Sequence, residues 1–430
     1  MTKNNFFQSI SYLTLISTIT LFFWYYELES IGMPLFALIA FSILVFNKNT
    51  FNAIPFYVNM LFMISQTEWS LESIPVYLYY LPVPVILGFV FHALKYKINL
   101  FQGKMALPLL LMFAAMVSTL FIIEEISMNY LFYIAVGLVY LFTYLFFKAS
   151  FKGDNLKVLI RLFVITGVMI SFQVLIFYLR VEDIAYALRH KQIDLGWGIS
   201  NFIATYLVMF ISTMFYFMKK YKFHSFWIIL AFFEIIMLLF TLSRGGILSF
   251  AITLIPLVVF LYYGYEKKVK LTLNIILGLS LVGLLVYFRL DYFTTVFERL
   301  SEDFFDDSGR FDLWIEAYDK FINNPLLGVG VFARVDESYF GFYHNTILHT
   351  MATLGTVGLV SILWQFLVVV IIFFKKWNIE KAILLIALFG ANIHGMVDNV
   401  YYMPQFMVIF FIIIAAVENH NLTLKEDLLR

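Results

Sequence analysis

Apolar stretches of about 17 to 25 residues recur from one end of this chain to the other, each long enough to cross a hydrocarbon core of roughly 30 Å as a helix. Such a pattern leaves few folds open. In lipid every backbone N–H and C=O must be satisfied within the structure, which restricts spanning segments to helices and closed barrels. A barrel would show alternating segments of roughly ten residues, so the expectation is an all-α, polytopic integral membrane protein. Composition agrees: 62% of the 430 residues are hydrophobic and 13% are charged, against about 25% charged in an ordinary soluble domain. A water-soluble globule is excluded.

Polar breaks divide the chain into about fourteen candidate spans: roughly 10–26, 31–46, 51–65, 74–94, 105–123, 129–148, 158–179, 201–217, 226–242, 246–264, 271–288, 345–374, 382–393 and 403–417. The third and thirteenth are short, so the expected number of transmembrane helices is about 12 to 14. The first stretch follows a short N-terminus with Lys3 and lacks a small-residue cleavage site, and it reads as a retained signal anchor. With the N-terminus in the cytoplasm every lysine cluster falls inside, among them Lys95/Lys97/Lys104, Lys219/Lys220/Lys222 and Lys267/Lys268/Lys270. The inner segments then hold 19 Lys and Arg, the short outer loops 4 and the one long outer loop 5, as the positive-inside rule requires. Both termini are expected in the cytoplasm.

The outer cations are seven Arg and two Lys, whereas the inner ones are almost all Lys. Arginine's planar fork suits bidentate phosphate binding, so the outer face is a candidate for handling phosphate; the other reading is pairing with the outer carboxylates. There is no cysteine, hence neither a thiolate metal site nor a cysteine nucleophile. A net charge of +1 sorted by membrane side gives no sign of nucleic acid binding.

Domain organisation follows from the spans: N-terminal transmembrane helices over 1–200, further helices over 201–288, a long extracytoplasmic loop at 289–344, C-terminal helices over 345–417 and a cytoplasmic tail at 418–430. Loops as long as 289–344 are usually functional or disordered. In its second half Ser308 is placed to cap an amphipathic helix in which Phe311, Trp314 or Ile315, Tyr318 and Phe321 or Ile322 recur at helical spacing, with Asp312, Glu316, Asp319 and Lys320 on the other side. Asn323-Asn324-Pro325 ends it, and Gly328 and Gly330 allow a tight return towards the bilayer. The first half, with Glu302, Asp303, Asp306 and Asp307, reads as a solvated acidic connector.

Several residues are candidates for chemistry. Arg244 stands in Thr241-Leu242-Ser243-Arg244-Gly245-Gly246, where two apolar runs meet at the outer face and the glycines let a phosphate approach the backbone; the alternative is a snorkelling arginine at a helix end. Arg310 opens the amphipathic helix, near a helix N-terminus that favours anions; an ion pair with Asp306 or Asp307 is the other reading. His344, where the long loop re-enters the membrane, can exchange a proton near neutral pH, or can be a satisfied interface residue. His349 lacks the i, i+4 partner of a helical zinc pair, so no metal site is expected. Glu234 lies inside the ninth span, where an ionised carboxylate is costly; pairing with a polar group from another helix, or a proton path, would account for it. His394 and Asp398 form a last polar break on the outer side and are candidates to line the same cavity.

The stretch from Ser243 to Gly358 resembles the O-antigen ligase and O-antigen polymerase superfamily of bacterial envelope glycosyltransferases. Three pieces carry the resemblance in order: Ser243-Arg244-Gly245-Gly246; Gly309-Arg310-Phe311-Asp312-Leu313-Trp314 running into Asn324-Pro325-Leu326-Leu327-Gly328-Val329-Gly330; and His344-Asn345, followed after nine residues by Gly355 and after two more by Gly358. The resemblance implies transfer of a glycan carried on undecaprenyl pyrophosphate, at the outer face of a bacterial cytoplasmic membrane, without a cofactor, metal ion or nucleotide sugar. It implies Arg244, Arg310 and His344 as catalytic residues, with Ser243, Gly245, Gly246, Trp314 and Asn345 contacting substrate. Its partners would be the lipid-linked glycan, a glycan acceptor, the bilayer and other polysaccharide-assembly proteins. Polymerisation of repeat units is the leading expectation, with en bloc ligation to a different acceptor as the alternative. Transport of the lipid-linked glycan is a third reading, but no inverted repeat with paired broken helices supports it.

Overall fold

The computed structural model of the chain describes residues 6–67, 76–122, 128–221, 224–264, 266–302, 309–330 and 343–427. Among them there are eighteen α-helices and no strand: α1 (Ile10–Tyr25), α2 (Glu29–Phe46), α3 (Ile54–Met60), α4 (Val76–Tyr80), α5 (Pro82–Tyr96), α6 (Ala106–Ser118), α7 (Met128–Ser150), α8 (Leu156–Arg180), α9 (Ile184–Arg189), α10 (Ser200–Lys220), α11 (His224–Phe240), α12 (Arg244–Tyr262), α13 (Lys268–Phe288), α14 (Leu290–Glu302), α15 (Arg310–Asn323), α16 (Thr346–Phe374), α17 (Ile379–His394) and α18 (Pro404–Asp427). Eight of these helices are long and apolar enough to cross a membrane, and four shorter helices are apolar as well. The chain is an all-α, multi-pass membrane protein.

The third expected span, 51–65, is not one helix. A 3-10 turn at Thr50–Ala53 leads into the seven residues of α3, every one buried. At about 1.5 Å per residue, α3 by itself is too short to cross. Pro55 at the start of α3 fits the first turn of a helix, where its missing N–H costs nothing.

The helices fall into two compact units. The first comprises Met1–Lys97, Asn155–Phe304 and Asn378–Ala391. At its centre is α10, 89% buried, packed on α8, α11 and α12, whereas α13 is 12% buried and offers apolar residues to lipid. Hydrogen bonds sort the helix ends of this unit into two levels. At one level Lys219 Nζ donates to the carbonyl of Phe260, and Arg161 donates to Tyr221 OH. At the other, Tyr178 OH donates to Phe240 O at 2.6 Å, Trp24 Nε1 to Leu195 O at 2.9 Å, and Ser200 Oγ to Thr241 O.

The second unit comprises Ile98–Asp154, Phe305–Trp377 and Asn392–Arg430. Here α6 packs on α7 and α16, α18 packs on α7, and α15 lies on α16. The lower half of α18 is tied by side chains rather than by packing alone: Glu418 accepts from Tyr144 OH at 2.9 Å and from Lys104 N, and Asn419 Nδ2 donates to Lys148 O. Those bonds explain why the helix runs on to Asp427, through polar residues that by composition alone read as a tail.

The long loop contains more order than the sequence suggested. Its first half, expected to be a connector, is the amphipathic α14, with Phe293 and Val296 buried and the Phe293 ring 5.5 Å from that of Phe240. Glu302 ends that helix, while Asp303, Asp306, Asp307 and Ser308 lie outside the described residues; the N-cap of the next helix is Gly309 and not Ser308 as expected. The second-half helix is present as expected over Arg310–Asn323. Its inward side is Leu313 and Ala317, set against Tyr343, Leu348 and Ala352, while Phe311, Ile315, Tyr318 and Ile322 stay exposed at spacings of four, three and four. An exposed apolar stripe on a surface helix suits a lipid interface.

Candidate active site

Arg244 is the first residue of α12, and the turn before it is tightly specified. Leu242 has a left-handed backbone, φ 57°, which reverses the chain directly after α11. Ser243 then caps α12: its hydroxyl accepts from Gly246 N at 3.2 Å and donates to Asn201 Oδ1 at 2.9 Å. The side chain is fully buried, so Ser243 shapes the turn. Gly246 is required by packing, because a Cβ there would stand 2.5 Å from Ala204 Cβ on α10. Gly245 and Arg244 are half-buried. The result is a guanidinium on the first turn of a 19-residue helix, where unsatisfied N–H groups and the helix dipole both favour an anion.

Arg310 repeats that arrangement in the second unit. It is the first residue of α15, preceded by Gly309 at φ 72°, the N-cap. What holds α15 in place lies at its other end. Helix α16 is broken at Gly355, φ 61° and ψ −157°, and the segment Pro325–Gly330 enters the break. Thr356 N donates to Pro325 O at 2.8 Å, Val329 N to Ala352 O at 2.9 Å and Gly330 N to Thr353 O at 3.0 Å. A break in a membrane helix exposes backbone groups that must find partners, and the incoming loop supplies them. A Cβ on Gly355 would press on the Leu326 carbonyl and stand 2.6 Å from Gly328 N, so the motif glycine is there for backbone approach.

His344 precedes α16 and has a left-handed backbone, φ 45°. Its ring is 39% exposed, and Nδ1 lies 3.4 Å from Asp398 Oδ1, a residue 54 positions away. Asp398 is almost wholly buried. Burial alone would raise its carboxyl, but the hydrogen bond from His344, the neighbouring charges of His394 and His344, and the Asn399 N–H hold it down to about 2. A carboxylate kept ionised on one ring nitrogen orients the imidazole and leaves Nε2 for proton transfer. Of His394 and Asp398, both expected to line the site, Asp398 contacts His344 directly.

Asn345 caps α16. Its Oδ1 accepts from Ile347 N and Leu348 N at 3.0 Å, and its Nδ2 donates to Met396 O at 2.9 Å. Together with the bond from Thr346 N to Gly395 O, the cap fixes the turn that carries Asp398 beside His344. Trp314 is half-buried on α15 with its ring 5.2 Å from Phe311, and among the described residues its Nε1 has no hydrogen-bond partner. His349 is fully buried, with the Tyr402 ring at 4.4 Å and the Tyr343 ring at 5.8 Å. Glu234 is fully buried on α11 facing Gly167 of α8, and neither oxygen has a hydrogen-bond partner among the described residues. The pairing expected for it from another helix is not found there. Asn201, which anchors Ser243, carried no signal in the sequence beyond being a polar residue at the start of a span.

Fold and site together define a multi-pass helical membrane protein whose polar chemistry is mounted on helix ends and on a loop docked into a broken helix. Residues 228–363 match the family described as O-antigen ligase, and the matched stretch contains Arg244, Arg310, His344 and the Gly355 break. Over that stretch the chain is similar to this family, whose members are glycosyltransferase-like enzymes. No curated protein matches the chain.

Proposed function

We propose that the chain polymerises oligosaccharide repeat units carried on undecaprenyl pyrophosphate, at the outer face of the bacterial cytoplasmic membrane. The observation that supports this reading is that the matched segment holds two arginines that each open a helix, and a histidine backed by a buried carboxylate. In the reaction an acceptor hydroxyl attacks the anomeric carbon of the donor sugar. The carbon–oxygen bond to pyrophosphate breaks, and the electron pair leaves with the phosphate. Arg244 and Arg310 stabilise that departing charge with directed N–H donors, and His344 Nε2 takes the hydroxyl proton. The lysine asymmetry supports an outer position for Arg244 and the loop helix α15. The description of the matched family as a ligase supports a second reading, en bloc transfer to a different acceptor, which uses the same donor chemistry.

Purified protein given a lipid-pyrophosphate-linked repeat should lengthen glycan in the presence of EDTA; activity that returns only with Mg²⁺ or Mn²⁺ would refute the metal-free mechanism. Arg244→Lys and Arg310→Lys keep the charge but lose the planar fork, and each should cost about 10² to 10³ in rate, with Arg299→Lys nearly silent. Wild-type rates in both lysine variants would reduce the two arginines to interface anchors. Product attached to a separate acceptor, without lengthening, would select the ligase reading.

A further inference from the structure

A second polar site lies wholly within the first unit, lined by none of the motif residues above. At the helix-end level that includes Arg180 there is a cavity of about 610 Å³ whose walls include Trp24, Glu27, Glu29, Phe177, Arg180 and Asp194. That volume falls within the roughly 300–1,000 Å³ of small-molecule sites. One wall is rigidly built. The turn from Asp194 to Ile199 is pinned by Trp24 Nε1 on Leu195 O at 2.9 Å, and by Trp197 Nε1 on Gln173 Oε1 at 3.1 Å. Gln173 in turn donates to Phe62 O at 2.9 Å. Gly196, φ 82°, backs directly onto the Ser65 backbone. Asp194 Oδ1 accepts from Gly196 N at 2.8 Å, and Glu29, 7% exposed, accepts from Ser65 Oγ at 2.8 Å.

The lining states what a ligand must bring. Carboxylates only accept hydrogen bonds, so three of them call for a ligand rich in O–H or N–H donors. The hydroxyls of Ser65 and Thr67 and the amide of Gln66 accept and donate at the same time. Trp24 and Phe177 supply apolar wall for the C–H face of a ring. Arg180, the one cation of the lining among the described residues, has its guanidinium 4.0 Å from the Tyr25 ring centroid, so an anionic ligand would meet three carboxylates against a guanidinium stacked on an aromatic ring. Donor-rich, partly apolar and not anionic describes a sugar that is uncharged or carries an amine.

We propose that this cavity is a sugar subsite that takes an uncharged or amine-bearing residue of the glycan this chain handles; its assignment to that glycan rests on the transferase reading above. The test uses the full chain in lipid nanodiscs and saturation-transfer NMR with three probes: N,N′-diacetylchitobiose, chitobiose and digalacturonic acid. The first two should bind in the millimolar range, and the anionic disaccharide should bind at least about tenfold more weakly. Glu29→Gln and Asp194→Asn should each weaken binding about tenfold by removing a charged acceptor. Glu27→Gln, at the exposed rim, should weaken it without any change in thermal stability. Arg244→Lys, which should lose transfer, should bind the neutral probe as wild type does, so failure of the transferase mechanism and failure of the subsite give different results. Equal binding of the anionic disaccharide, no binding of either other probe, or wild-type binding in Glu29→Gln, Asp194→Asn and Glu27→Gln alike would overturn the proposal.

Discussion

Replacing Gly355 by alanine tests whether the loop helix is held by the break in α16. At φ 61° and ψ −157° the backbone occupies a region that only glycine adopts readily, and a side chain there costs on the order of 1–3 kcal/mol. The added Cβ also meets the Leu326 carbonyl and Gly328 N. Both groups are backbone, so neither can swing aside as a side-chain tip would. Relief requires the segment Pro325–Gly330 to lift, which severs the bonds from Thr356 N, Val329 N and Gly330 N, each contributing about 0.5–1.5 kcal/mol net. A loss of roughly 3 kcal/mol of docking lowers the docked population about 10²-fold. Hydrogen–deuterium exchange reads this directly: protection at Val329, Gly330 and Thr356 should fall about 10²-fold, and turnover should fall with it, while the protein still inserts. Gly153→Ala is the control, since Gly153 is also left-handed but has nothing within 4 Å of its Cβ position, so it bears backbone strain alone. Unchanged protection at Val329 and Gly330 in Gly355→Ala would refute the docking argument.

Asp398→Asn should reduce turnover on the order of tenfold or more by releasing the His344 ring, with protein level unchanged. Its acid behaviour has a defined sign: a carboxyl held at about 2 against roughly 3.9 unfolded adds stability above pH 4 and loses it as pH falls from 4 through 2. Thermal melts of wild type should show a loss of about 2 kcal/mol over that window that the asparagine variant lacks. His344→Gly and His344→Ala should both lose turnover, but the glycine variant should be the more stable by about 1 kcal/mol, because only glycine relieves φ 45°; equal melting temperatures would show that the backbone there is not left-handed.

Much of the fold was legible because lipid imposes length and polarity on each span, and α1, α8, α10, α12, α16 and α18 begin within a few residues of their apolar runs. The exceptions have physical causes. The run 51–65 is apolar because its residues are buried in protein, which composition does not distinguish from burial in lipid. Helix α14 was hidden by the acidic residues that follow it, although Phe293, Val296, Phe297 and Leu300 carry helical spacing. At the site, Arg310 was legible as the residue that opens its helix, whereas the place of Arg244 as the first residue of α12 depends on the cap set by Ser243. Ser243 and Asn345 are polar residues within motifs, and motif membership does not say whether a hydroxyl or amide faces a ligand or a backbone. Here Asn345 binds backbone groups, and Ser243 binds one backbone N–H and the Asn201 side chain.

The backbone itself separates His344 from the other strained positions. Among the described residues six that are not glycine have left-handed φ: Glu27, Lys97, Lys191, Leu242, His344 and Lys376. Five of these follow the C-terminus of a helix within two residues, namely α1, α5, α9, α11 and α16, where a left-handed residue closes the last turn and satisfies its carbonyls. Of the six, His344 alone follows no helix terminus among the described residues, so no described helix termination accounts for its conformation. Histidine is one of the side chains that tolerates this region better than most, but the cost remains, and it persists only where surrounding contacts over-determine the backbone. Those contacts are identifiable: Tyr343 is held by Ala317 and Ala352 on one side, and Asn345 is held by the α16 cap and Met396 O on the other. Between two fixed neighbours the chain turns the imidazole outward to 39% exposure while Nδ1 reaches back to Asp398. A ring that served only to fill the interface would need neither the strain nor a buried carboxylate, which is why the geometry favours a proton-handling role for His344 over a packing one.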